Sequence, residues 1–557
     1  MRSRWIWMTA AVFAAAANMS AAQVISAADE TEAEQVLSAV GETETEQVFS
    51  AADETETAVS EEKQTESSTE NTDAGEVVIT LSDEEILVDG SPVSEDSSEA
   101  VYAGAELIYY KEGQDALYGA GDESDAHSEE EAAMHTVLTI TRPGTYRVTG
   151  SISRGQIAVD LGESSREDET AVVKLILDQA DITCTVAPAI VVYNAYECGS
   201  DDTETASRDV NTENAGFRLI LADGSENRVN GSHVAKIYKE GTTQEEIDAG
   251  EAKKAWKFDA AIDSLVSVQI EGETEGSGRL EVSSDKEGIE SALHLTINSG
   301  MIDIQSSDDA VNANEDKVSV ITINGGALTC NSGLGKEGDG IDSNGWIVIN
   351  GGTVSAGANK ESPDSGLDSD MGIYVNGGTV LGSGNMYDEV SAESGQQFVV
   401  LGFAEKLSED EILLLKDSDG EAAAAFAPVN PSQILVYSSP ELKEGDYTLY
   451  KVDSVEGTKT GTVYTDITGY EGETQLQYSS TSVMGGPQMD GPRPELPEGA
   501  EAGERPELPE GAEAGERPEP PEGAEAGERP ELPAEAAQSV FSISAGRCMF
   551  AQITVAE

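Results

Sequence analysis

Short aliphatic runs recur along this chain at one fixed interval. The runs LTINSG, ITINGG, IVINGG and IYVNGG each reach an asparagine, and Asn298, Asn324, Asn350 and Asn376 are 26 residues apart. A fixed interval with a repeated strand-and-turn pattern is typical of stacked repeats, in which each unit contacts its neighbours. The pattern predicts an all-β protein built around a right-handed parallel β-helix. We expect the asparagines to hydrogen-bond to their copies in adjacent coils.

Hydrophobic positions around each asparagine follow the alternation of a β-strand, so residues two apart share a face. The strand before each asparagine predicts an inward column formed by Leu295, Ile297, Ile321, Ile323, Ile347, Ile349, Ile373 and Val375. The strand after the turn predicts a second inward column formed by Ile302, Ile304, Leu328, Cys330, Val354 and Val380. The intervening positions Thr296, Thr322, Val348 and Tyr374 are predicted to face outward. Weaker strand-turn-strand patterns lie upstream, at 141–152, 172–186, 217–229 and 265–282.

Composition divides the rest of the chain into segments of different character. Two low-complexity segments, one acidic and one rich in Pro, Glu, Gly and Ala, repeat at 12 residues and are too polar to build a core. Alternating apolar residues after the coils predict antiparallel strands that cap the stack. The predicted organisation is a signal peptide (1–22), a disordered acidic spacer (23–75), a β-helix domain (76–395), a capping region (396–480), a low-complexity linker (481–537) and a C-terminal strand segment (538–557).

The charge of the chain limits its partners. With 107 acidic and 32 basic residues, its formal net charge is −75, which repels nucleic acid and anionic membrane surfaces. The apolar stretch after Arg2 and Arg4 is too short to span a bilayer and is typical of a secretory signal. We therefore expect a secreted or cell-surface monomer without a membrane span. Four cysteines are too few for a disulfide scaffold, and their pairing stays open.

A column of acids and amides runs beside the asparagine ladder. The segments SSDKEGIES, SSDDAVNAN, KEGDGIDSN and SPDSGLDSD each place an acid before, and a polar residue after, a small-aliphatic pair. Stacked carboxylates repel one another at about 1 kcal/mol per exposed pair, and calcium relieves this by taking six to eight oxygens. The alternative is a set of solvated Asp/Gly turns. The predicted Ca²⁺ ligands are Asp308, Asp309, Asp339, Asp342, Asp364, Asp368, Asn312 and Asn344.

The segments GDGIDSNGWIVINGGTV (338–354) and SGLDSDMGIYVNGGTVLGSG (365–384) resemble the signature of a clostridial carbohydrate-binding β-helix family. The resemblance covers about residues 76–455 and departs in a charged insertion at 198–260. It implies calcium at the coil turns and binding to plant cell-wall polysaccharide, especially polygalacturonate, with cellulose as a second ligand.

Two other functions stay open from the sequence. A calcium-dependent pectate-lyase-like enzyme needs a basic residue as proton acceptor, and the candidates are Arg279, Lys286, Lys336 and Lys360. A structural surface adhesin would suit the acidic and Pro-rich repeats. We expect a non-catalytic binder, because none of these basic residues recurs in the repeats.

Outward aromatic residues are candidates for contact with sugar rings. Trp346 and Tyr374 lie on neighbouring coils and are predicted to present their rings to a polysaccharide, although ordinary surface aromatics would fit the same pattern.

Overall fold

The computed structural model describes residues 75–479, 537–543 and 551–554. The predicted signal peptide, acidic spacer and low-complexity linker lie outside these residues, apart from Gly75 and Ala537 at their edges. Within the described part the chain is all-β, as the alternation predicts, and no helix there is long and apolar enough to cross a membrane. The helical pieces are one-turn segments at Glu129–Ala132, Glu163–Glu167 and Gln244–Asp248.

One run of parallel strands precedes the asparagines, and we call it the ladder run. Its strands are Phe217–Leu221, Val268–Gly272, His294–Ile297, Val320–Ile323, Trp346–Ile349 and Gly372–Val375. The last four pair in register at 26-residue steps, so Leu295, Ile321, Ile347 and Ile373 lie beside one another. The eight side chains predicted to face inward are at most 1% exposed, which confirms the first inward column.

A second run of parallel strands follows the turns. Its strands are Val173–Thr183, Glu226–Gly231, Arg279–Ser284, Met301–Gln305, Ala327–Asn331, Thr353–Gly357 and Thr379–Gly384. The long strand Val173–Thr183 pairs with both runs and with Gly144–Ile152, which in turn pairs with Val77–Leu81. The second inward column is also buried, Cys330 included, so this prediction is confirmed as well.

A third run carries the acidic residues, and we call it the site run. Its strands are Val101–Gly104, Thr136–Ile140, Gly155–Asp160, Ile190–Asn194, Ala260–Ser264, Glu287–Ser291, Val311–Ala313, Ile341–Ser343 and Leu367–Ser369. All neighbours in this run pair in parallel except the first two strands. Apolar side chains of the three runs, such as Ile289, Ile323 and Val354, share one continuous core.

The asparagine ladder forms as the sequence predicts. The Nδ2 of Asn324 donates to Oδ1 of Asn298, and the same 2.9 Å bond joins Asn350 to Asn324 and Asn376 to Asn350. The second glycine after each of the last three asparagines has a φ of 81–82°, a backbone region that side chains disfavour. A repeated left-handed glycine therefore turns each of these coils into its second strand.

The charged insertion at 198–260 contains a hairpin. Before the strand Phe217–Leu221 it also contains a segment around residues 199–208, which we call the covering segment. The hairpin strands Val234–Tyr238 and Lys254–Phe258 are antiparallel. Upstream of it, Oε2 of Glu197 accepts from the backbone N–H of Ser267 at 2.8 Å, and Gly199 packs against the His294 ring.

The covering segment corrects one prediction. Thr296, Thr322 and Val348, expected to face outward, are only 4–8% exposed. The predicted outward face is thus largely buried, and the insertion, which lies outside the 26-residue period, contacts this face where Arg208 covers Tyr374.

Antiparallel strands follow the coils. Phe398–Leu407 and Ser432–Ser438 pair with each other, and the latter pairs with the last strand of the second run. A further sheet consists of Ser454–Thr460, Val463–Glu471, Ala422–Phe426, Ile412–Asp417, Gly445–Val452, Thr474–Gln475 and Phe541–Ile543. The strand pair and this further sheet share a core that includes Leu401, Phe426, Tyr437 and Phe541. Short strands complete the described structure at Leu87–Val88, Ser91–Pro92, Gln477–Ser479, Ala537–Gln538 and Ala551–Thr554.

Candidate functional site

The parallel register of the site run aligns polar residues at the same position of five successive strands. Pairing places Asp263 beside Glu290, Glu290 beside Asn312, Asn312 beside Asp342, and Asp342 beside Asp368. Adjacent strands lie about 4.8 Å apart, so these side chains form a closely spaced row. We call this row the acidic column.

A second row of acids lies where the site-run strands begin. The backbone N–H of Asp339 donates to Oδ1 of Asp309 at 2.6 Å, and that of Ser365 donates to Oδ1 of Asp339 at 2.6 Å. The backbone N–H of Gly338 similarly donates to Oδ2 of Asp364 at 2.7 Å. Main-chain groups of neighbouring coils therefore fix these carboxylates, which presents them in one orientation.

Part of each row lines a cavity of about 400 Å³: Asn312 and Asp342 of the acidic column, and Asp309, Asp339 and Asp364 of the second row. Seven of the eight predicted metal ligands line it: Asp308, Asp309, Asn312, Asp339, Asp342, Asn344 and Asp364. The eighth, Asp368, continues the acidic column beside Asp342 but does not line the cavity. Stacking of the coils thus brings together residues that lie between 308 and 364 in the sequence.

The carboxylates of the two rows are crowded and half-buried or buried. Burial, followed by the charges of Asp342 and Asp339, raises the pKa of Asp309 well above its usual range. Burial and the charges of Asp370 and Asp388 raise the pKa of Asp342 to about 7. Burial and the charge of Asp339 likewise raise the pKa of Asp368 to about 10. The folded chain therefore holds these carboxylates ionised only at a cost, unless a cation lies among them.

Three buried oxygens at this site have no hydrogen-bond partner among the described residues. They are Oε2 of Glu287, Oε2 of Glu290 and Oδ1 of Asn312, and the three residues are 6–9% exposed. Buried polar atoms are almost always satisfied, so this cluster of acceptors suits a ligand that supplies hydrogen-bond donors or positive charge. Carboxylate and amide oxygens are the donors that hard cations such as Ca²⁺ prefer, so the residues present fit such an ion.

At one end of the cavity the chain supplies its own positive charge. The Nζ of Lys257 lies 2.7 Å from Oδ2 of Asp259, and the Nζ of Lys286 lies 3.1 Å from Oδ1 of the same carboxylate. Burial lowers the pKa of Lys257, but the charge of Asp259 and the nearby Glu287 and Glu290 reverses this and raises it overall. The pKa of Lys286 is raised for the same reason, so both lysines are ammonium ions at neutral pH.

The structure adds site residues that the sequence did not single out as ligands. Carboxylate oxygens of Asp259, Glu287 and Glu290 lie within 4.8 Å of one another, close enough to share one metal ion. Asp259 had a signal in the sequence, because DAAID repeats the acid, small-aliphatic pair and acid of the later coils with one extra residue. Lys236, Lys254 and Lys257 also line the cavity and come from the inserted hairpin, which carries no repeat signal.

The two aromatic candidates lie elsewhere. Trp346 and Tyr374 belong to the ladder run and do not line the cavity. The guanidinium of Arg208 sits 3.8 Å from the centre of the Tyr374 ring and is held there by Glu393 at 3.0 Å. One face of the Tyr374 ring is therefore already covered by the insertion. Trp346 is partly exposed on a separate surface.

Comparison with known proteins gives a match over the coils. Residues 134–214 and 215–398, together just under half of the chain, match the model of a family described as carbohydrate-binding domain-containing protein. This match supports a carbohydrate-related function. The matched region contains the ladder run, the second run and every strand of the site run except Val101–Gly104.

Other comparisons are more distant. A solved polysaccharide lyase-like protein from C. thermocellum, a gadolinium derivative, is 18% identical over 55% of this chain and 90% of its own, with a TM-score of 0.32. At that distance the likeness does not indicate a function. A search of curated proteins found no match.

Proposed function

We propose that this protein is a secreted, non-catalytic module that binds acidic plant cell-wall polysaccharide, such as polygalacturonate in pectin, through calcium. Cellulose is a second candidate ligand. The observation that carries the proposal is one cavity lined by stacked carboxylates, in which Oε2 of Glu287 and Oδ1 of Asn312 have no hydrogen-bond partner among the described residues. In this proposal the three runs of strands wind as a right-handed parallel β-helix, which supports the row of carboxylates.

Electrostatics explains why calcium is needed. A chain with a net charge of −75 repels a polyanion such as polygalacturonate. When bound, calcium supplies positive charge that both protein carboxylates and uronate carboxylates can ligate. Asp309, Asp339 and Asp342 are the residues proposed to hold it, because the charges that act on each of them most strongly are carboxylates rather than lysines.

A lyase is the second candidate, because Lys257 and Lys286 lie in the same cavity as the proposed calcium ligands. A lyase base must be neutral in order to take the proton next to the uronate carboxyl. The pKa of each lysine is raised by Asp259, so each already carries the proton that a base would have to accept. This favours binding over catalysis at this site.

Sedimentation with insoluble polysaccharide tests the proposal. The protein is mixed with polygalacturonate gel and with cellulose, in calcium and in chelator, and both the pelleted protein and the ultraviolet absorbance of unsaturated product are measured. We expect retention on polygalacturonate in calcium only, without product. Growing absorbance would instead establish a lyase, and no retention on either polymer would leave the adhesin role.

A further inference from the structure

The cavity has a cationic end built into an otherwise acidic chain. Lys236, Lys254, Lys257 and Lys286 line it, although the chain has only 32 basic residues against 107 acidic ones. Three of these lysines come from the two strands of the inserted hairpin. The insertion therefore brings positive charge to the same cavity that the coils line with carboxylates.

The hairpin strand that carries two of the lysines is firmly anchored. Phe258 is 1% exposed, and its ring packs against those of Trp256 at 5.7 Å and Tyr193 at 5.8 Å. The Trp256 ring also meets Tyr193 edge-on at 5.6 Å. Such aromatic contacts add rigidity as well as buried area, so Lys254 and Lys257 project from a fixed base.

Asp259 holds two of the ammonium groups by one contact each. It is a single carboxylate, 2% exposed, between Lys257 and Lys286. An ammonium has three N–H donors, and each contact with Asp259 uses one of them. The Lys257 and Lys286 side chains remain 37% and 32% exposed, so donors remain for a ligand in the cavity.

We infer that this lysine end is a metal-independent subsite for a carboxylate of the bound glycan. The inference rests on the proposed function and gives it a specificity: the ligand must carry free uronate groups there. A charged hydrogen bond from a prearranged ammonium favours a carboxylate over a neutral ester, which offers only a weak acceptor. One stretch of glycan would then meet calcium along the acidic column and lysines at its end.

The test compares acidic and methyl-esterified oligogalacturonides by calorimetry in calcium. The variant is Lys254→Gln with Lys257→Gln, and the matched control is Lys253→Gln, which removes an adjacent exposed charge that does not line the cavity. We expect affinity for the acidic ligand to fall about tenfold for each cavity lysine that contacts it, with the control unchanged. The esterified ligand lacks the carboxylates that calcium and lysine would bind, so its binding should be weaker and equal in all three proteins.

Further outcomes separate this inference from the proposed function. If wild-type protein binds the acidic ligand and the double variant binds it equally well, the subsite is refuted while calcium-dependent binding stands. If wild type binds neither ligand, both proposals fall. A loss caused by misfolding would affect both ligands alike and lower the melting temperature. In that case Lys257→Arg, which keeps the charge, should fail to restore affinity for the acidic ligand. Restored affinity supports the subsite.

Discussion

Replacing Asp342 by asparagine tests whether the acidic column is held together against its own charge. Asp342 lies between Asn312 and Asp368 of the neighbouring strands. Burial, with the charges of Asp370 and Asp388, raises the pKa of Asp342 from 3.8 to about 7. A rise of that size corresponds to about 4 kcal/mol of unfavourable free energy when the folded chain ionises this group.

The sign of the effect follows from the raised pKa. The folded state binds the proton more tightly than the unfolded state, so without a cation stability is greatest in acid and falls as the pH rises through about 7. Asparagine keeps the shape but cannot ionise. At pH 7 in chelator we therefore expect Asp342→Asn to be more stable than wild type by about 2–4 kcal/mol, after allowing for relaxation of the neighbours. For a folded unit of roughly 400 residues this raises Tm by about 2–5 °C.

Calcium should narrow this difference in stability. A ligand at one hundred times its Kd stabilises the folded state by about 2.7 kcal/mol, and Asp342→Asn removes one of the proposed ligands. Wild type should gain that stability and the variant should gain less.

Thermal melts followed by circular dichroism, with and without calcium, measure both effects. The control is Asp410→Asn, which removes one exposed acid in a loop away from the cavity. If Asp342→Asn melts at or below wild type in chelator, or gains as much from calcium, the reasoning about the column is wrong.

Three further predictions follow from other parts of the structure. Replacing Lys257 and Lys286 together by methionine should add one calcium ion to the stoichiometry measured by calorimetry, because the nearby acids lose their ammonium partners. An unchanged stoichiometry would show that the lysines do not take the place of a metal ion. Asn350→Ala breaks two ladder bonds of 2.9 Å and should cost about 1–2 kcal/mol in denaturant unfolding, whereas no change would mean that water replaces the ladder fully. Burial lowers the pKa of His233, but Asp285 at 3.1 Å reverses this and raises the pKa overall. The contribution of His233 to stability should therefore be complete below pH 6.5 and be lost as the pH rises beyond it. Urea midpoints of His233→Gln that fall in parallel with those of wild type over pH 6–9 would contradict this.

The repeat made much of the fold predictable. In a parallel stack each coil lies on a copy of itself, so a residue meets the residue one period away, as Leu295 meets Ile321 and Asn298 meets Asn324. Contact partners can then be read by counting along the sequence. The same counting aligned Asn312, Asp342 and Asp368, because they belong to the same periodic pattern.

The tertiary structure decided what the period does not contain. The insertion brings Lys257 and Lys286 together on Asp259, and it places Arg208 over Tyr374, a ring that the alternation alone predicts to be open. The sequence spacing of these contacts follows no rule, since a hairpin and a covering segment can fold back onto any coil. Nor does spacing along the chain show which acceptors stay unpaired, as with Oε2 of Glu287, because that depends on every group packed around them. The sequence by itself therefore determined the row of carboxylates, through stacking of like on like, and only the folded chain decided which of them face a lysine.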